Sequence, residues 1–191
     1  MDAAIDLCNR QGFDRTTVDQ IAAVADVSPR TFSRYFATKE AVMLALIDDT
    51  VESAALELSR QPADIHHLEA LFRAYTGMYR NTKTAGPTGL TPERLIAAVR
   101  IIMSSPALRQ AAAEFRPHPA NVALAKRMGT GPSDQRLKLV AVVWTSILLT
   151  ALDDLGPDTD WDHVTIDDLL IRVEKTYSQF VNVIEDVRQP L

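Results

Sequence analysis

Residues 17–40 read T-V-D-Q-I-A-A-V-A-D-V-S-P-R-T-F-S-R-Y-F-A-T-K-E, and this stretch holds three helix starts in quick succession. Thr17 followed three residues later by Gln20 is a capping box: the hydroxyl accepts from an orphan helix N–H while the amide reaches back. Val18, Ile21, Ala22 and Ala25 then repeat at i, i+3, i+4 and i+7, which gives a short helix one apolar stripe. Asp26 lies where the chain must turn. Ser28 and Pro29 open a second helix by supplying an N-cap and a φ already set for the first turn. Within that helix Phe32, Tyr35 and Phe36 share one face, predicted to pack on the first helix, and Arg30, Ser33 and Arg34 share the other. Thr38 caps a third helix and puts Lys39 in its first turn.

Two short helices joined by a tight turn leave the second one able to enter a DNA major groove by its N-terminal end. An arginine fork there pairs with guanine O6 and N7, and small hydroxyl residues at a helix start suit phosphate oxygens. The predicted DNA-binding residues are therefore Thr17, Ser28, Pro29, Arg30, Thr31, Ser33, Arg34, Tyr35 and Lys39. Arg30 is assigned to base edges, and the Lys39 ammonium, with the N–H groups around it, to one phosphate. The bland alternative is a helical corner whose polar face is merely solvated.

These residues resemble the DNA-binding domain of TetR-family transcriptional regulators. The segment G-F-D-R-T-T-V from Gly12 is similar to the family's entry into its helix-turn-helix, and V-S-P-R-T-F-S-R-Y-F-A-T-K-E-A-V from Val27 is similar to its recognition helix and the helix that follows. The resemblance implies an all-α homodimer that represses transcription and releases its operator when a ligand occupies a larger C-terminal domain. Three departures stand out. Asp26 replaces a glycine common in the turn, which is tolerable because Asp visits the left-handed region more readily than most residues. Ser33 stands where the family often has a phosphate-contacting tyrosine. A basic arm normally precedes the first helix, whereas this chain opens Met1-Asp2 at the helix itself, so either the chain is clipped or DNA binding relies on fewer contacts.

Composition fits a regulator, with 47% hydrophobic residues in a 191-residue chain, enough for one or two domains with a real core. The net charge of −5 runs against counterion-driven DNA affinity. Its distribution matters more, since Arg30, Arg34 and Lys39 share a surface while acids such as Asp19 and Asp26 sit in caps and turns. The single cysteine, Cys8, reads as a small buried hydrophobe and excludes an intrachain disulfide. No apolar run approaches about 18 residues and no signal-peptide pattern opens the chain, so the expected compartment is the cytoplasm, without membrane contact.

Beyond the helix-turn-helix, prolines punctuate a succession of helices. The spacing predicts helices over Asp2–Gln11, Lys39–Arg60, Ile65–Thr82, from Pro92, from Pro106 to Met128 with Pro117 and Pro119 interrupting, Leu137–Leu155, and a last one capped by Thr165 with Asp168. Ala85 to Gly89 reads as a loop. The predicted fold is all-α with about nine helices: an N-terminal three-helix DNA-binding domain over residues 1–47 and a larger C-terminal helical ligand-binding and dimerisation domain over residues 48–191. The stretch L-I-A-A-V-R-I-I-M-S-S-P-A-L-R-Q, Leu95 to Gln110, resembles the acyl-CoA-responsive or mycofactocin-regulator type of TetR C-terminal domain.

Phe72, Tyr75, Met78, Tyr79, Met103, Phe115, Trp144 and Leu148 combine large apolar surfaces with a few polar tips and are the predicted lining of a pocket for a hydrophobic or acyl-type effector, with Arg73, Arg100 or Arg109 at its mouth. Ordinary core packing explains any one of them equally well. The helix from Leu137 is apolar nearly all round, an excess that marks a buried or partner-facing helix, and Val143, Ile147, Val173 and Phe180 are the predicted homodimer seam.

Catalytic and metal signatures are weak. Asp158, Asp160 and Asp162 have calcium-loop spacing, but His163 stands where the loop needs glycine and Leu169 where it needs glutamate. Adjacent His66 and His67 point about 100° apart on a helix, and His118 between two prolines reads as structural or exposed. Gly129-x-Gly131 follows a helix and lacks a third glycine. No enzyme activity, cofactor or metal is expected. Two other readings stay open: a DNA-binding regulator without a small ligand, which a tightly packed C-terminal core would favour, and an α-helical enzyme using the C-terminal pocket.

Overall fold

The computed structural model describes residues 7, 8, 10–86 and 89–188, and among them the only regular structure is helical. Residues 7, 8, 10 and 11 are helical and end at Gly12, whose φ of 82° suits a residue without a Cβ. The predicted start of that helix at Asp2 lies outside the described residues, as do positions 87 and 88 of the Ala85–Gly89 loop. There follow α1 (Val18–Val24), α2 (Pro29–Tyr35), α3 (Lys39–Ser59), α4 (His67–Thr82), α5 (Pro92–Met103), α6 (Pro106–Ala113), α7 (Pro119–Met128), α8 (Gln135–Ala151), a 3-10 turn (Trp161–His163) and α9 (Ile166–Arg188).

The capping residues read from the sequence set these boundaries. Thr17, Ser28, Thr38, Thr91 and Ser105 each accept a hydrogen bond from a backbone N–H of the first turn they precede, and the Thr165 hydroxyl exchanges hydrogen bonds with Asp168. The predicted long helix to Met128 is two helices, because Pro117 and Pro119 remove backbone donors and push their predecessors into extended backbone. The helix predicted from Leu137 starts earlier, at Gln135, because the Asp134 carboxylate accepts from the Arg136 and Leu137 N–H groups (2.7 and 3.4 Å). It also ends at Ala151 rather than Leu155.

Two hydrophobic clusters organise the molecule. The N-terminal one gathers Phe13, Ile21, Ala22, Phe32, Val42, Met43, Leu44 and Ile47, and it is completed by Ala98, Ile101 and Leu108 from α5 and α6. The C-terminal one contains Ala54 and Leu58 of α3 together with side chains of α4, α5, α7, α8 and α9. Helix α3 therefore belongs to both, its first half in one core and its second half in the other. Hydrophobic packing thus crosses the predicted boundary at residues 47 and 48.

Polar contacts hold α3 to the chain around it. Arg116 forms a bidentate pair with Asp48, at 2.6 and 2.9 Å, tying the α6–α7 connection to the middle of the helix. Arg127 of α7 donates to the carbonyls of Gln61 (3.1 Å), Pro62 (2.5 Å) and Ile65 (3.0 Å), closing the turn between α3 and α4. His118 lies beside the Arg116–Asp48 pair, and its Nδ1 is buried without a hydrogen-bond partner. Burial and, next, the Arg116 charge hold its imidazole down at about 4, with Asp48 opposing.

An unfolded histidine titrates near 6.5, so between there and about 4 the unfolded chain binds the extra proton and stability falls as pH falls. We expect His118 to account for a loss of up to about 3 kcal/mol on going from neutral pH to about 4. Urea unfolding at a series of pH values should find this slope flattened in His118→Asn; an unchanged slope would contradict the assignment.

Candidate nucleic-acid interface and C-terminal site

Local hydrogen bonds set the helix starts and the turn of the helix-turn-helix. The Thr17 hydroxyl accepts from Gln20 N (3.2 Å) and Thr17 N donates to Gln20 Oε1 (3.0 Å), which also accepts from Gln11 Nε2 (2.9 Å). Asp26 turns the chain with φ 55°, the one positive φ outside glycine among the described residues, while Val27 N donates to Ala22 O at 3.0 Å. Ser28 Oγ accepts from Thr31 N (3.1 Å) and lies 2.8 Å from the Thr31 hydroxyl.

Phe32 is the anchor of α2, 8% exposed and tilted against Phe36 at 5.2 Å. Arg30, Thr31, Ser33 and Arg34 all face solvent, along with Ser28 and Pro29. Tyr35 departs from the reading that packed it with Phe32 and Phe36: it is 67% exposed, its ring under the Arg34 guanidinium at 4.9 Å and its hydroxyl accepting from Arg34 at 2.9 Å. Three positions after Phe32 the helix has turned by about 300°, and α1 is too short to cover both. Ala25 is likewise exposed, because the α1 stripe ends at Ala22.

Lys39 differs most from its expected role. Its ammonium donates to the carbonyls of Phe13 and Asp14, both at 3.1 Å, and sits 4.4 Å from the centre of the Phe13 ring. Two of its three donors are thus spent on a turn that precedes the helix-turn-helix.

In the C-terminal half, the structure brings most of the predicted pocket residues together. Tyr75, Met78, Tyr79, Met103 and Trp144 are all under 9% exposed, and Phe72, Phe115 and Leu148 pack around them. Tyr75 and Trp144 lie 5.2 Å apart between ring centres. Burial pushes the Tyr75 hydroxyl up to about 12, with neighbouring Trp144 pulling the other way, and the Trp144 indole Nε1 is buried with no partner of normal hydrogen-bond geometry. Of the predicted mouth residues, Arg73 pairs with Glu69 at 2.7 Å, and Arg109 reaches the Met103 carbonyl at 3.5 Å.

The predicted seam is corrected by burial. Ile147 and Val173 are 5% and 0% exposed and belong to the core, so neither is available to a partner, whereas Val143 and Phe180 are partly buried at its edge. The apolar side chains that α8 and α9 turn outward are Leu139 (63% exposed), Val142, Ile171 (61%), Val183 and Ile184. Periodicity identifies a stripe but not the side to which it points.

Residues 1–46 match the family of bacterial regulatory proteins called tetR. The N-terminal domain belongs to the TetR family. Over 108 residues the chain is 37% identical to the HTH-type transcriptional regulator TcmR of Streptomyces glaucescens; this is 55% of the chain but 46% of TcmR, so the chain spans about half the length of that relative. Among solved structures, Thermus thermophilus FadR, a TetR-family transcriptional repressor in complex with lauroyl-CoA, is 22% identical, with 94% of this chain and 90% of that one covered and a TM-score of 0.49. The TetR-family regulator PfmR, also of Thermus thermophilus, is 14% identical, with 92% and 93% covered and a TM-score of 0.32.

Sequence reading missed two partners of this TetR-type domain and its neighbour. The Phe13–Asp14 turn that receives Lys39 lies some two dozen residues upstream of it, signalled only by the G-F-D-R run. Tyr177 stacks on Phe72 at 4.2 Å and 7°, lies 6.2 Å from Trp144 and donates from its hydroxyl to Glu69 Oε2 at 3.0 Å; helical spacing places it only on the apolar face of the last helix. Lys39→Met, which removes two charge-assisted hydrogen bonds, should lower the unfolding free energy of the TetR-type domain by about 1–2 kcal/mol. Denaturant unfolding followed by circular dichroism would measure it, and no loss would place those bonds at negligible value.

Proposed function

We propose that this protein is a transcriptional repressor that binds a palindromic operator as a homodimer, with residues 1–47 on DNA and residues 48–191 serving ligand binding and dimerisation. The observation that carries the reading is the polar face of α2: Arg30, Thr31 and Arg34 all project from a short helix whose opposite side is pinned by buried Phe32. Arg30 then reads base edges, and Ser28, Thr31 and Ser33 meet the backbone. Arg34 and Tyr35 act together, the ring bracing the guanidinium towards a phosphate. Thr17 and Pro29 shape the two helix starts, and Lys39 sets the angle of α2 through the Phe13–Asp14 turn more than it grips DNA.

Loss of Arg30 as Arg30→Ala should weaken the specific complex by about 1–3 kcal/mol and relax sequence preference at one position. Fluorescence anisotropy against the upstream region of the chain's own coding sequence gives the number. A wild-type protein with no sequence preference there or in a random-library selection would sink the reading.

Dimerisation is assigned to the outward faces of α8 and α9, with Val143 and Phe180 at the margin and Leu139, Val142 and Ile171 at the centre. Such a seam sets two recognition helices about one DNA turn apart, on the order of 34 Å. Leu139→Glu should convert the dimer to a monomer in sedimentation velocity with an unchanged helical circular-dichroism signal; a wild-type monomer with and without DNA would refute the seam.

For the effector, the supporting feature is the aromatic group of Phe72, Tyr75, Trp144 and Tyr177, whose polar tips are the Tyr75 and Tyr177 hydroxyls and the Trp144 N–H, a combination that suits a hydrophobic ligand of acyl type with a polar head. The second reading, a regulator without a small ligand, is favoured by the near-complete burial of Tyr75, Met78, Tyr79, Met103 and Trp144 as packed core. A thermal-shift series of fatty acids and acyl-CoAs, followed by DNA titration with each hit, separates the two. Neither reading calls for catalysis.

A further inference from the structure

Away from the aromatic core, a half-open cleft of about 330 Å³ lies between the two halves of the molecule. One wall is the turn Gln11–Arg15, which leads into the helix-turn-helix. The other is the loop from Gly156 to Trp161 that joins α8 to α9, and Arg100, Ile101 and Ser104 at the end of α5 form the base. Both walls are held in place by their own hydrogen bonds. Arg15 Nε donates to Gln11 O at 2.6 Å and the Thr16 hydroxyl to Gly12 O at 2.9 Å; across the cleft, Trp161 Nε1 donates to Gly156 O at 3.2 Å and Gly156 N to the Thr159 hydroxyl at 2.8 Å. Preorganised walls lower the ordering cost of binding.

Two arginines lie in the described lining of the cleft. Arg100 is exposed in the cleft, and no hydrogen bond or ion pair with another described residue engages its guanidinium. Arg15 adds a second positive charge. Among the described lining residues the one carboxylate, Asp14, accepts from the buried Ser105 hydroxyl at 3.2 Å. Apolar surface comes from Ile101, Phe13 and the Trp161 ring.

We infer that this cleft is a binding site for a small aryl carboxylate, with the carboxylate on the Arg100 fork and the ring against Trp161 and Ile101. The planar guanidinium pairs a carboxylate through two parallel N–H···O bonds, and a volume near the lower end of the usual range of roughly 300–1,000 Å³ admits a ligand of one or two rings and excludes a long acyl chain. The occupant touches the Phe13–Asp14 turn whose carbonyls Lys39 holds, so it bears on a turn tied directly to the start of α3. The measurement needs no DNA, so its failure and the failure of the operator reading are separate results.

Isothermal titration calorimetry with 1-naphthoate, and with inorganic phosphate as the anion lacking an apolar body, tests the site on the full chain. Naphthoate should bind in the millimolar range or tighter and more strongly than phosphate. Arg100→Gln, at an exposed position, should lose about tenfold or more in naphthoate affinity, the scale of one charge-assisted contact, while Arg94→Gln further up α5 should not change it. The inference is overturned by an absence of naphthoate binding, by affinity that survives Arg100→Gln, or by phosphate binding as tightly as naphthoate.

Discussion

A single rigid helix shared between two hydrophobic cores constrains everything else in this structure. The N-terminal half of α3 presents Val42, Met43, Leu44 and Ile47 to the helix-turn-helix and to α5 and α6, and its C-terminal half presents Ala54 and Leu58 to α4 and α7. The two cores are thus connected through one continuous helix that contributes side chains to both. What joins the C-terminal core to the helix-turn-helix is therefore this shared burial along α3.

The polar contacts have a different role, which is to limit the poses α3 can take. The bidentate Arg116–Asp48 pair is partly buried, with side-chain exposures of 25% and 30%, so it retains more of its Coulombic energy than a surface pair would. Arg127, spread over the carbonyls of Gln61, Pro62 and Ile65, satisfies acceptors of the turn that joins α3 to α4. By contrast, Arg80–Glu174 and Lys83–Asp167 lie on the surface and contribute little to holding α4 on α9. That junction rests on the Phe72–Tyr177 stack and on the Tyr177–Glu69 hydrogen bond beneath it.

Much of the fold was legible from local chemistry. Caps formed by Thr17, Ser28, Thr38, Thr91, Ser105 and Thr165 act within three residues of themselves, so the helix starts they specify need no tertiary context. The same holds for the turn at Asp26, where an aspartate tolerates φ 55°. Side-chain direction was less legible. Tyr35, read both as packing on α1 and as DNA-facing, is exposed, while Ile147 and Val173 read as seam and are buried, because helical spacing places a residue on a face but carries no mark of which neighbour covers it.

Sequence alone determined the order and type of the helices, the proline break before α7, and the family of the first 46 residues, since these follow from capping, backbone restriction and motif spacing along the chain. Tertiary structure alone decided that Lys39 grips the Phe13–Asp14 turn, that Tyr177 closes on Phe72 and Glu69, and that Arg100 faces a cleft between the halves. Each of these joins residues far apart in the chain, and the packing that brings them together depends on how α3 divides its surface between two cores, which no local pattern encodes.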